Sequence, residues 1–135
     1  MRQNIFVLHV PANDADPCVV KIVDRDKMSV FEALVGGHVE QVTVNAYVVA
    51  HFHEEGFRLG LPFNRRASMI LAAYGFTNHG SGFVGNITFL SQVRDNRASV
   101  SAVLVQLVSE RYGLGGPVTY EAYQVAMGAP SGSNS

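Results

Sequence analysis

Hydrophobic and polar residues alternate along this chain in short stretches that turn-forming residues separate. Stretches rich in β-branched and aromatic residues predict five strands: residues 4–10, 18–23, 39–44, 47–53 and 83–93. We expect the first two strands to pair as a hairpin across the turn cluster at residues 11–17. Only Asn45 and Ala46 join the third strand to the fourth, and so short a connection cannot form a parallel crossover. The pattern therefore predicts a meander of antiparallel strands, with residues 57–61 continuing as an extended segment.

Two segments between these strands carry helix signals. Ser29 and Glu32 form a capping-box pair for a short helix that ends before Gly36. Asn64 is the candidate N-cap of a helix over residues 65–74, in which apolar residues recur at helical spacing.

The clearest helical pattern lies at residues 98–112, where an apolar stripe contains Val100, Val103, Leu104, Leu107 and Val108. Such a stripe must be buried, either on the sheet or in a self-associating interface, so the chain has a route to a homo-oligomer. Residues 118–127 fit a helix or a strand equally well, and residues 128–135 have the composition of a disordered tail.

Strands outnumber helices, and the first four strands lack helical crossovers. The sequence therefore predicts an α+β fold, with a mostly antiparallel sheet and two to three helices packed on it. A chain of 135 residues fits one domain, and we assign residues 1–127 to it because no linker composition interrupts them.

Composition narrows the classes of function. Ten Lys and Arg against eleven Asp and Glu give a net charge of −1, which argues against non-specific nucleic-acid binding. The single cysteine, Cys18, excludes an internal disulfide framework and a cysteine-based zinc site. No apolar run approaches the roughly 18 residues of a membrane span, so we expect a soluble, cytoplasmic protein.

Asn64, Arg65 and Arg66 stand at the predicted start of a helix. Backbone N–H groups, the helix dipole and two guanidinium groups would together form a cradle for a phosphate-like anion or an acidic partner. The alternative is an ordinary cap followed by two exposed arginines. We expect three further residues nearby that would contact a base or a ribose of the ligand: Glu40, Glu54 and Tyr74.

His51 and His53 offer a different chemistry. Side chains two residues apart lie on one face of a strand, about 7 Å from each other, which suits a shared metal ion. Glu40, Glu54 or Glu55 would supply a further ligand, and the site would support metal-assisted hydrolysis. The alternative is a polar, solvated strand face, and we assign no catalytic residue, metal or cofactor from the sequence.

Residues 36–93 also contain an ordered set of short motifs: Gly-Gly-His-Val-Glu at 36–40, His-Glu-Glu-Gly at 53–56, Leu-Pro-Phe-Asn-Arg-Arg-Ala at 61–67 and Phe-Val-Gly-Asn-Ile at 83–87. In this order they resemble an uncharacterised family that is common in actinobacterial phages and their hosts. His53 stands where that family usually has Asn or Asp, and the helix at 98–112 lies outside the resemblance.

The resemblance implies a phage-type accessory protein that acts in the host cytoplasm, and it implies no known activity. Small phage proteins of this kind often counter antiviral defence by sequestering a host protein or a nucleotide signal. The leading hypothesis is therefore a non-enzymatic binding protein whose ligand is a host protein or an anionic small molecule. A metal-assisted hydrolase and a structural or assembly module are the alternatives.

Overall fold

The computed structural model describes residues 3–78 and 80–128. Within these residues the chain forms six strands and four helices: β1 (Asn4–Val10), β2 (Val19–Asp24), α1 (Met28–Val35), β3 (Val39–Asn45), β4 (Val48–His53), α2 (Arg65–Ala73), β5 (Ile87–Val93), β6 (Asn96–Ala98), α3 (Ala102–Tyr112) and α4 (Tyr120–Ala126). The predicted α+β class and antiparallel sheet are confirmed. The described residues form four helices, where the sequence predicted two to three.

The strands are joined in one sheet of antiparallel pairs, in the order β2–β1–β5–β4–β3, with β6 beside β5. The hairpins β1–β2 and β3–β4 form as predicted. The order is not that of a simple meander, however, because β5 enters between the two hairpins. Its first five residues are buried, so this apolar strand takes the central position, where both of its faces are covered.

Helices cover both faces of the sheet. On one face, α1 packs Phe31 against inward-facing residues of β1, β4 and β5. On the other face, α2, α3 and α4 pack on Leu8, Ala50 and Phe89. Because strand side chains alternate between faces, each central strand contributes to both cores, and the protein has three layers.

Three local predictions from the sequence are corrected by the structure. Helix α1 begins one residue before Ser29, so Lys27 is its N-cap and the predicted capping box does not form. Residues 57–61 form turns instead of an extended segment, and β5 starts at Ile87 instead of at residue 83. After β5, residues 94–95 form a tight turn that leads directly into β6.

Helix α3 begins at Ala102 with Ser101 as its cap, and its apolar stripe packs inside the same chain. Leu104, Val105 and Val108 are fully buried, whereas Val103 is 69% exposed, so the buried face includes Val105 in its place. Residues 118–127, whose pattern fitted a helix and a strand equally well, contain the helix α4. The hydroxyl of Tyr123 in α4 donates a hydrogen bond to the carbonyl of Val100. Burial on the sheet therefore accounts for the stripe without a second copy.

No helix within the described residues is long and apolar enough to cross a membrane. The predicted disordered tail, apart from Gly128, lies outside the described residues.

The packing of α3 can be tested by shortening single side chains. We expect Leu104→Ala to lower the free energy of unfolding by about 2–5 kcal/mol, because it opens a cavity in the core. Val103→Ala on the same helix should change it by less than about 0.5 kcal/mol, since that side chain is exposed. Urea titrations of the two variants provide the comparison, and equal losses would contradict the observed phase of the helix.

Candidate functional site

A concave pocket of about 560 Å³ lies where the β3–β4 hairpin meets two loops, at the edge of the sheet. Its volume is in the range of small-ligand sites, about 300–1,000 Å³. We call it the acidic aromatic pocket, and it is lined by Glu40, Val42, Phe52, His53, Glu54, Phe57, Phe76, Thr77, Asn78, Phe83 and Val84.

Packed phenylalanine rings form one wall of this pocket. Phe83 is the central ring and is only 3% exposed. The Phe52 ring lies 5.6 Å from it, centroid to centroid, and the Phe76 ring stacks on it at 5.7 Å. Phe57 adds a ring that is 56% exposed. The wall therefore consists of packed aromatic rings, whose faces carry a negative quadrupole.

Two carboxylates border the same pocket. Glu40 lies opposite Phe52 in the β3–β4 ladder, so both side chains are on the pocket face of the sheet, and Glu54 follows β4 directly. Neither takes part in the salt bridges of the described residues. Neighbouring Glu55 pairs with Arg58 at 2.5 Å, so that arginine is already engaged. No lysine or arginine is among the described residues that line the pocket, so Glu40 and Glu54 make its lining acidic.

The loops of the pocket are held by Asn64, which is fully buried. As predicted, its side-chain oxygen caps α2 by accepting from the N–H of Ala67 at 2.9 Å. Its Nδ2 donates to the carbonyls of Val10 and Gly85, each at 2.9 Å, and its own N–H donates to the carbonyl of Phe83. All of its polar groups therefore form hydrogen bonds within the protein, and these bonds hold the loop that carries Phe83.

Arg65 and Arg66 lie beside the loop at residues 11–16, and the acidic aromatic pocket does not include them. Arg65 Nε donates to Asp14 at 2.9 Å, and Asp14 also lies 3.5 Å from Arg66 Nε. Arg66 is only 4% exposed, and its Nη2 lies 2.7–3.1 Å from three carbonyl oxygens of the loop. A carboxylate of the chain itself thus occupies the place that the sequence assigned to an external anion.

Tyr74 stands apart from the other predicted ligand-binding residues. It ends α2 and lines a separate apolar groove with Tyr47 and Val103. Of the six residues proposed from the sequence, the structure therefore brings only Glu40 and Glu54 to one pocket, with Asn64 anchoring the loop beneath them.

The two strand histidines are held in different ways. His51 is 1% exposed beneath α1, where its ring packs edge-on against Phe31 and its Nε2 lies 3.1 Å from Gln41 Oε1. His53 Nδ1 accepts from the N–H of Glu55 at 3.0 Å. The described residues contain no group of three His, Cys, Asp or Glu placed to hold a metal ion. The metal-assisted hydrolase therefore stays a hypothesis, and the described residues supply no set of metal ligands for it.

Sequence reasoning missed the phenylalanine wall. Phe52, Phe76 and Phe83 come from β4 and from a loop, and no single segment shows them as a group. The only signal was the content of eight phenylalanines, several of them next to the glycine-rich motifs.

The role of Arg66 can be measured as stability. We expect Arg66→Ala to lower the free energy of unfolding by about 2–3 kcal/mol, because three loop carbonyls lose a charged donor. Arg65→Ala should cost much less than Arg66→Ala, since its ion pair with Asp14 is half exposed. Urea unfolding of the two single variants checks this, and an unchanged midpoint for Arg66→Ala would contradict the anchoring role.

Two buried histidines predict a loss of stability in acid. Burial, aided by Lys21 for His9 and by Arg97 for His51, lowers the pKa of each to about 4 from 6.5. The folded state therefore binds fewer protons than the unfolded state as the pH falls from 6.5 to 4, and stability present above this window is lost within it.

We expect the free energy of unfolding to fall by up to about 1.4 kcal/mol per pH unit for each histidine in this window. His51→Gln should reduce that slope, and His38→Gln, which changes an exposed side chain, should preserve it. Urea titrations at several pH values measure the slope. A slope that His51→Gln leaves intact would rule out His51 as a source.

A family model described as Domain of unknown function (DUF3846) matches residues 4–113. The match is wider than the motif region at 36–93 and takes in α3, which the resemblance had left outside. No curated protein and no solved structure shows a significant match to the chain. Because the family model spans more than half of its residues, the protein belongs to the DUF3846 family.

Proposed function

We propose that this protein is a non-enzymatic binding protein, and that its acidic aromatic pocket receives a positively charged group of a protein partner. The observation that carries the proposal is the lining itself: Glu40 and Glu54, which form no ion pair within residues 3–78 and 80–128, stand beside packed phenylalanine rings. A cation gains from the ring faces and from the carboxylates at once.

The same charges argue against an anionic small molecule as the ligand. Glu40 and Glu54 would repel a phosphate in the pocket. Arg65 and Arg66, which the sequence predicted to bind an anion, instead contact Asp14 and carbonyl groups of the loop at residues 11–16. Of the two ligand classes expected from the sequence, the host protein is therefore the better supported.

The biological setting of the proposal comes from the motif resemblance at residues 36–93. A phage-type accessory protein in the host cytoplasm would meet host proteins there, and occupying a basic surface of a defence protein would be an anti-defence role. A structural module has no need for an open pocket with two carboxylates, so the pocket favours binding over assembly.

The proposal is tested with Nα-acetyl-arginine methylamide as a probe, and its neutral isostere, the citrulline derivative, as a control ligand. In a two-dimensional NMR titration of the ¹⁵N-labelled chain, we expect the arginine probe to shift amides that line the pocket. Glu40→Gln combined with Glu54→Gln should weaken this binding about fivefold, because each exposed ion pair contributes roughly 0.5 kcal/mol.

The matched control variant combines Glu110→Gln with Glu121→Gln, which removes the same charge from exposed positions on α3 and α4. It should bind the arginine probe as the natural chain does. The proposal is wrong if the citrulline probe binds equally well, or if the control variant loses as much affinity as the pocket variant.

A further inference from the structure

We infer that the partner binds as an extended segment that adds to the open edge of β3, with a lysine or arginine placed opposite Glu40 and over the acidic aromatic pocket. This inference rests on the proposed function, because it takes the pocket as a site for a cation. It adds the form of the partner and the way in which the partner is recognised.

Strand β3 is an open edge of the sheet. Among the residues that the structure describes, it pairs with β4 alone, on one side. An edge strand presents a row of unpaired N–H and C=O groups that another chain can use. At the opposite edge, β2 carries Lys21 and its start is bridged by Gly115, two features that protect an edge. β3 has neither lysine nor proline along its seven residues.

The regular part of this edge lies next to the pocket. The β3–β4 register shifts between Thr43 and Asn45, which interrupts the ladder at the far end of the strand. Residues 39–43 keep a regular register, and two of them, Glu40 and Val42, line the pocket. A segment that pairs with the regular part is therefore brought directly beside the pocket.

The register also decides which side chains of the added segment would enter the pocket. Glu40 lies opposite Phe52, and Val42 opposite Ala50, so these pairs share the pocket face. Residues directly opposite each other in a ladder have Cβ atoms about 5 Å apart. The residue opposite Glu40 would thus lie beside that carboxylate, within reach of the phenylalanine wall for a long basic side chain.

The face of β3 away from the pocket favours different residues in the added segment. Gln41 and Thr43 are exposed and polar, so partner residues opposite them should be polar as well. The expected segment alternates a basic and an apolar residue on the pocket face with polar residues on the other face. A second copy of this chain fits less well, because its β3 has no lysine or arginine to offer Glu40.

The probe for this inference is the peptide acetyl-Thr-Val-Thr-Arg-Thr-Val-Thr-amide, whose symmetric pattern suits either strand direction. In the NMR titration of the full ¹⁵N-labelled chain, we expect it to shift the amides of residues 39–43 together with those of the pocket. Backbone pairing should make it bind about tenfold more tightly than Nα-acetyl-arginine methylamide.

Two N-methylated versions of the peptide are the matched controls, one methylated at three threonines and the other at the valines and the arginine. In a strand, alternate N–H groups point to opposite sides, so only one of the two sets faces β3. One version should therefore lose about tenfold in affinity, and the other should bind as the parent peptide does.

Equal losses in both versions, or no shift at residues 39–43, would overturn strand addition. If the arginine probe still titrated the pocket in that case, the proposed function would stand, and if neither probe bound, both proposals would be wrong. A doubling of the molecular mass without peptide, with the same β3 amides shifting, would assign the edge to a second copy instead.

Discussion

The side-chain amide of Asn64 joins three parts of the molecule that are far apart in the sequence. It caps α2, holds the end of β1 through Val10, and holds the loop before β5 through Gly85. Because Asn64 is fully buried, removing the amide would leave each of these backbone groups without a partner in the interior. This one group therefore links the helix, the sheet and the loop that follows Phe83.

Arg66 extends the same anchoring to the loop at residues 11–16, and Asp14 lies beside both arginines. The positive charge that opens α2 is therefore partly offset by a carboxylate of the chain, whereas Glu40 and Glu54 have no ion-pair partner among the described residues. The result is a protein with almost no net charge whose concave site is nonetheless negative. This local separation of charge, more than the total, determines which ligand the site can favour.

Several glycines of the motif region mark places where segments approach closely. A Cβ added to Gly37 would clash with Nε2 of His53, and one added to Gly56 would lie 3.0 Å from the side chain of Val84. At Gly85 the backbone has a φ of +78°, and Leu61 is 3.0 Å from the position of a Cβ. These glycines let the hairpin and the loops of the pocket pack against one another, so the motifs have a structural role around the site.

The sequence by itself determined most of the local elements, because hydrophobic period, caps and short connections act over a few residues. It predicted both hairpins, the cap at Asn64 and the α+β class. Only the tertiary structure decided that β5 enters between the hairpins, that Asp14 pairs with the arginines, and that Phe52, Phe76 and Phe83 meet beside Glu40. Most of these contacts join residues that are far apart in the sequence, and a side chain's own sequence neighbours carry no record of which distant residue it will contact.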